Sequence, residues 1–160
     1  MDQPFISFPS PRGHYAAHAC IFWCFDARFS DLYDEFLKQK GFDKSKIDLV
    51  KIAGGAQALA MDSGIAAAGG IESDKAFAAS QVAKSIKLHR TNRIVLMVHL
   101  DCGGYGGSKA FDDDREKEWS HHLEELKKAA AFIRQKFPEI GQIECYIADF
   151  DGVHEAAVRP

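Results

Sequence analysis

The run Arg93-Ile-Val-Leu-Met-Val98 constrains this chain more than any other feature. It is almost uninterrupted aliphatic and β-branched sequence, as expected of a central parallel strand covered on both faces. Three further segments read as strands. His18–Phe25 (HACIFWCF) is short and aromatic, and Asp26 and Arg28 cut it off; Ile47–Ala53 and Gln142–Phe150 follow the same pattern. Helical spacing fills the intervals. Ser30 is the expected N-cap of a helix with a Leu32, Phe36 and Leu37 stripe, ended by Gly41. A second helix, capped by Ser73, carries Ala79, Val82, Ala83 and Ile86 and ends about His89. A third runs from Asp114 to Phe137 with Trp119, Leu123, Leu126, Ala130 and Ile133 on one stripe, and Pro138 stops it. The glycine-bearing stretch 53–70 is expected to be a flexible connection.

Strand and helix in alternation predict an α/β fold: a central, mostly parallel sheet flanked by helices. The Asp151-Gly152 dipeptide then turns residues 153–158 back as an antiparallel edge strand. A length of 160 residues fits one domain, with residues 1–17 as an N-terminal extension. Twenty Lys and Arg against 23 Asp and Glu give a net charge of -3, which lacks the positive field of a general nucleic-acid or anionic-membrane binder. No targeting segment and no run of roughly 18 apolar residues is read in the chain, so a cytoplasmic location is expected.

In an open parallel sheet, ligands bind beyond the carboxyl ends of the strands, where neighbouring strands send their connections to opposite faces. Two motifs fall there. Cys24-Phe25-Asp26-Ala27-Arg28 follows the first strand, and His99-Leu100-Asp101-Cys102 follows the third. If those strands are neighbours, Cys24, His99 and Cys102 converge. Two thiolates and an imidazole suit zinc, and three protein ligands leave a fourth position open.

With these motifs, the sequence resembles the β-class carbonic anhydrases, which bind zinc through a C-x-D-x-R and an H-x-x-C motif. The resemblance extends to Lys51–Gly55, to the central unit from Gln81 to Gly104, and to the closing segment Ile143–Val158. It implies zinc on Cys24, His99 and Cys102, and reversible hydration of carbon dioxide to bicarbonate by zinc-bound hydroxide. Asp26 would orient that hydroxide while Arg28 pins the carboxylate; in some relatives the Asp is instead a fourth ligand that closes the site. The family also implies a homodimer or higher homo-oligomer. A hydrophobic substrate pocket would be walled by Phe25, Phe29 or aromatic residues of a second subunit. Two alternatives remain: a zinc hydrolase for carbonyl sulfide or carbon disulfide, and a non-catalytic zinc-binding protein. The segment before Cys24 is shorter than the helical arm of many relatives, Lys51–Gly55 departs from the more usual Arg-Asn-Ala-Gly-Asn, and Leu100 is bulky for its place.

Other chemistry-bearing residues have plainer readings. Cys20 and Cys145 are expected to be core thiols. Gly103, Gly104, Gly106 and Gly107 lack the Lys-Ser/Thr of a nucleotide loop and fit a tight turn past the metal. His121-His122 and the charged run 112–118 are expected on a solvated face. His14, His18, His89 and His154 have no recognisable partner spacing.

Overall fold

The run at Arg93 becomes β3 (Arg93–His99), buried along all but its first residue. A computed structural model describes residues 5–61 and 72–158. Around β3 lie β1 (Ala19–Cys24), β2 (Ile47–Ile52), β4 (Gln142–Ala148) and the short β5 (Val153–Glu155), in the order β2-β1-β3-β4-β5. All neighbours are parallel except β4 and β5, which pair antiparallel across the Asp151-Gly152 turn. The edge strand therefore forms as expected but spans only residues 153–155.

Alternation along β1 sorts its side chains into two cores. Ala19, Ile21 and Trp23 join Val95, Met97 and Tyr146 under α1 (Ser30–Gln39), which contributes Tyr33, Phe36 and Leu37. Cys20, Phe22 and Cys24 join Leu96, Val98 and Ile147 on the opposite face. That face is covered by α2 (Gln57–Ala60), α3 (Glu72–His89) and α4 (Arg115–Lys136). The chain leaves β1 toward the first face and β3 toward the second. The switch point of the sheet thus lies between the ends of β1 and β3.

Several local expectations are corrected. Ser30 begins α1 without capping it, because a 3-10 turn, Ala27–Phe29, runs straight into the helix and the Asp26 side chain caps that turn instead. Asp114, by contrast, does cap α4, accepting from the N–H groups of Glu116 and Lys117. Ser73 lies inside α3, which starts at Glu72. Of the expected flexible connection, Gln57–Ala60 is a buried helical turn, and residues 62–71 lie outside the described residues. Its burial follows from the small side chains of Ala56, Ala58 and Ala60, which let this turn pack closely against α3 and α4.

The solvated reading of the α4 start is overturned at two places. Glu118 and His122 are 2% and 0% exposed, because they share a helix face with Leu126, Ala129 and Ile133 at four- and three-residue steps. Trp119 and Leu123, assigned to the core stripe, are only partly buried. Among the remaining histidines, His89 donates to the Asp48 carboxylate (2.8 Å), His154 to the Asp149 carboxylate (3.1 Å), and His18 accepts the Asp43 N–H. Tyr15 also donates to Asp48 and stacks on the His89 ring, fastening the segment before β1 to β2 and α3. No helix among the described residues is long and apolar enough to cross a membrane.

Candidate metal centre

Cys24 ends β1 and His99 ends β3, so two neighbouring parallel strands deliver their last side chains to one place. Cys102 follows after a sharp turn through Asp101, whose φ is +53°. The Cys24 and Cys102 sulfurs lie 3.9 Å apart, and both are within 4.8 Å of a His99 ring nitrogen. All three residues are buried.

The donor set fits a metal ion. His99 Nδ1 is 2.8 Å from the Leu100 carbonyl oxygen, which can only accept, so Nδ1 carries the proton and Nε2 keeps its lone pair. That Nε2 is buried and has no hydrogen-bond partner among the described residues. A buried nitrogen lone pair facing two sulfurs is costly unless a cation uses it. The two thiols also share a proton unequally. The hydrogen bond from Cys102 pulls Cys24 down against the effect of burial, and the Asp26 N–H assists. Cys102, as the donor in a buried position, is pushed up.

Close backbone packing shapes the cradle. Gly55 has φ +57°, and a Cβ there would lie 2.3 Å from the Met97 carbonyl and 3.2 Å from the Cys24 nitrogen. A Cβ on Gly104 would lie 2.9 Å from the Gly54 nitrogen, and Gln57 Nε2 donates to the Gly104 carbonyl at 3.0 Å. The segment after β2 thereby touches both turns that carry the Cys-His-Cys group. The glycine run at 103–107 forms a 3-10 turn with positive φ at Gly106 and Gly107, as a tight passage requires.

Asp26 lies beside the cluster, its Oδ2 4.0 Å from His99 Nε2. Arg28 holds it through Nε (3.0 and 3.1 Å), Nη2 (2.7 Å) and its own backbone N–H (3.0 Å). These bonds take the Asp26 carboxyl down to about 2, against a small opposing effect of burial. Arg28 also reaches Asp101, through Nη1 to the carboxylate and Nη2 to the carbonyl. A stack of rings frames this ion cluster: Phe29 lies against His99 (4.4 Å between centroids), Phe150 against Phe29 (5.3 Å), and Phe150 also covers the guanidinium. Phe29 is buried, whereas Phe25 is 62% exposed. Cys20 and Cys145 are buried free thiols away from this cluster, with burial as the first cause of their rise to about 12.

The sequence reading passed over Asp101, Glu118, Gln57 and Phe150. Asp101 is an unspecified position inside H-x-x-C, and Glu118 lies in a run of charged residues. Phe150 and Gln57 carry no motif; only their places after a strand and beside Gly54-Gly55 set them apart.

A parallel sheet with a Cys-His-Cys cluster at its switch point defines an α/β protein with a site able to hold a metal. Residues 15–157 match the family described as "Putative carbonic anhydrase", and the chain belongs to that family. An uncharacterized protein of Rickettsia bellii (strain RML369-C) is 29% identical over 143 residues, covering 87% of this chain and 80% of that one. Among solved structures, β-carbonic anhydrase isoform I of Trichomonas vaginalis superposes with a TM-score of 0.57 at 16% identity, covering 94% of this chain and 87% of that one. A tetrameric β-carbonic anhydrase of Sordaria macrospora gives 0.57 at 12% identity, covering 90% and 82%. These likenesses establish the β-carbonic-anhydrase fold.

Proposed function

We propose that this chain is a zinc-dependent lyase that interconverts carbon dioxide and bicarbonate, with Cys24, His99 and Cys102 as metal ligands. The observation that carries the reading is the buried, unpartnered Nε2 of His99 facing two sulfurs. Zinc bound there would supply Lewis acidity that activates water, more weakly than in a three-histidine site because two thiolates cancel its charge.

The chain's own groups then have distinct tasks. Asp26, ionised and clamped, accepts a hydrogen bond from the attacking water and turns its lone pair toward the substrate carbon. Arg28 keeps that carboxylate charged and occupied, so that it serves as an acceptor and not as a fourth ligand. Phe25 and Phe29 supply apolar surface suited to a small nonpolar substrate. A homodimer or larger homo-oligomer belongs to this reading, in line with the tetrameric neighbour.

Stopped-flow hydration with zinc-loaded protein tests the reading. The rate is expected to rise across about pH 6 to 9. A rate no greater than buffer at about pH 8.5 overturns the assignment, and release of sulfide from carbonyl sulfide or carbon disulfide in its place moves the chain to the hydrolases. Stoichiometric zinc with neither activity leaves a binding protein.

A further inference from the structure

Glu118 is a side chain with almost no contact with water, and its two oxygens are spent on the turn between His99 and Cys102 and on Ser108 beyond it. Oε1 accepts the Asp101 N–H at 2.7 Å, and Oε2 accepts the Ser108 hydroxyl at 2.9 Å. The Ser108 N–H donates in turn to Asp101 Oδ1 at 3.1 Å, which closes a ring of three residues. Asp101 is the one residue of this turn in the left-handed region, where a side chain with a Cβ needs support from its surroundings. Its two remaining acceptors, Oδ2 and the backbone carbonyl, both receive Arg28. A continuous set of hydrogen bonds therefore runs from the first turns of α4, through Asp101 and Arg28, to Asp26.

We infer that Glu118 is a positioning residue of the metal centre, fixing the His99–Cys102 turn and, through Asp101, the Arg28 guanidinium. This rests on the reading of Cys24, His99 and Cys102 as ligands. The ring controls two things at once: the separation of the ligands His99 and Cys102, and the anchor that stops Arg28 from swinging away from Asp26. A buried acceptor does this better than an exposed one, because little water competes for the oxygens that hold the turn.

The test compares the full wild-type chain with Glu118→Ala and Glu118→Gln. Zinc affinity is measured by chelator competition, ligand geometry by the absorption of the cobalt-substituted protein, and stability by thermal melting. Glu118→Ala is expected to lose roughly ten- to hundredfold in zinc affinity and to shift the cobalt bands, and Glu118→Gln, which keeps an acceptor oxygen, to stay within about threefold. A residue serving stability alone would lower the melting temperature and leave both metal readouts unchanged, and that result overturns the inference. So does a Gln variant as weak as Ala, which would assign the effect to charge. If Glu118→Ala does not fold, Ser108→Ala removes one donor of the ring; a severalfold loss of affinity supports the inference, and wild-type affinity overturns it. A wild-type chain that takes up no zinc overturns the ligand assignment and this inference together, whereas zinc binding without hydration leaves this inference standing.

Discussion

Arg28 is anchored on Asp101, with Nη1 2.8 Å from its carboxylate and Nη2 2.9 Å from its carbonyl oxygen. One residue belongs to the turn after β1 and the other to the turn after β3. The guanidinium is therefore a cross-tie between the two motifs as well as the holder of Asp26.

That double engagement makes Arg28→Lys a severe change despite the conserved charge. An ammonium group cannot present a planar fork to Asp26 while also reaching both acceptors of Asp101. The variant is expected to retain zinc and to hydrate carbon dioxide roughly ten- to hundredfold more slowly. Metal analysis alongside stopped-flow rates gives the comparison, and an unchanged rate would remove Arg28 from the working site.

Replacing a proposed ligand has the opposite signature. Cys102→Ser is expected to reduce bound zinc from about one per chain to a small fraction, since a hydroxyl is a poor ligand for this borderline-soft ion. Chelation of the wild-type chain should lower its melting temperature toward that of the variant, because a metal that binds only the folded chain stabilises it by mass action. Elemental analysis and melting curves with and without added zinc measure both effects.

His122 gives a prediction about acid. Burial, then the neighbouring His121 and His99, hold its imidazole down to about 3. An unfolded chain protonates the same group near 6.5. As pH falls below about 6.5, the unfolded state binds a proton that the folded state refuses, so stability declines until about pH 3 and the loss then levels off. His122→Leu removes this slope. The zinc-free variant should gain on the zinc-free wild type by up to about 1.4 kcal/mol per pH unit across that window, as read from urea unfolding at several pH values. A gap independent of pH would refute the assignment of a neutral buried imidazole.

Gly55→Ala should destabilise the chain by about 2 kcal/mol or more, through positive φ and the collision with the Met97 carbonyl. Urea midpoints measure the cost. A variant as stable as wild type would mean that this crossing is looser than its geometry indicates.

The architecture was legible because hydrophobic periodicity is a local signal: Arg93–Val98, Ile47–Ala53 and the stripe ending at Phe137 each announced their element. The convergence of Cys24, His99 and Cys102 followed only on the condition that their strands are neighbours, a condition the order β2-β1-β3-β4-β5 meets. Residues whose role depends on which face a charge meets were not legible. Glu118 and His122 read as solvated because their neighbours in sequence are charged, yet helical geometry turns these two inward while Glu116 and Lys117 stay out. Ala27–Phe29 as a 3-10 turn, and Asp26 as its cap, escaped notice because Ser30 offered an ordinary capping signal one turn later.

The parallel pairing of β1 with β3 brings together side chains that are far apart along the chain. A nascent polypeptide that has emerged only as far as Asn92 carries Cys24 but neither of its companions. On the proposed ligand set, metal uptake waits until β3 and the turn after it have been synthesised and have docked on β1, so loading reports on a folded sheet and does not guide its early stages.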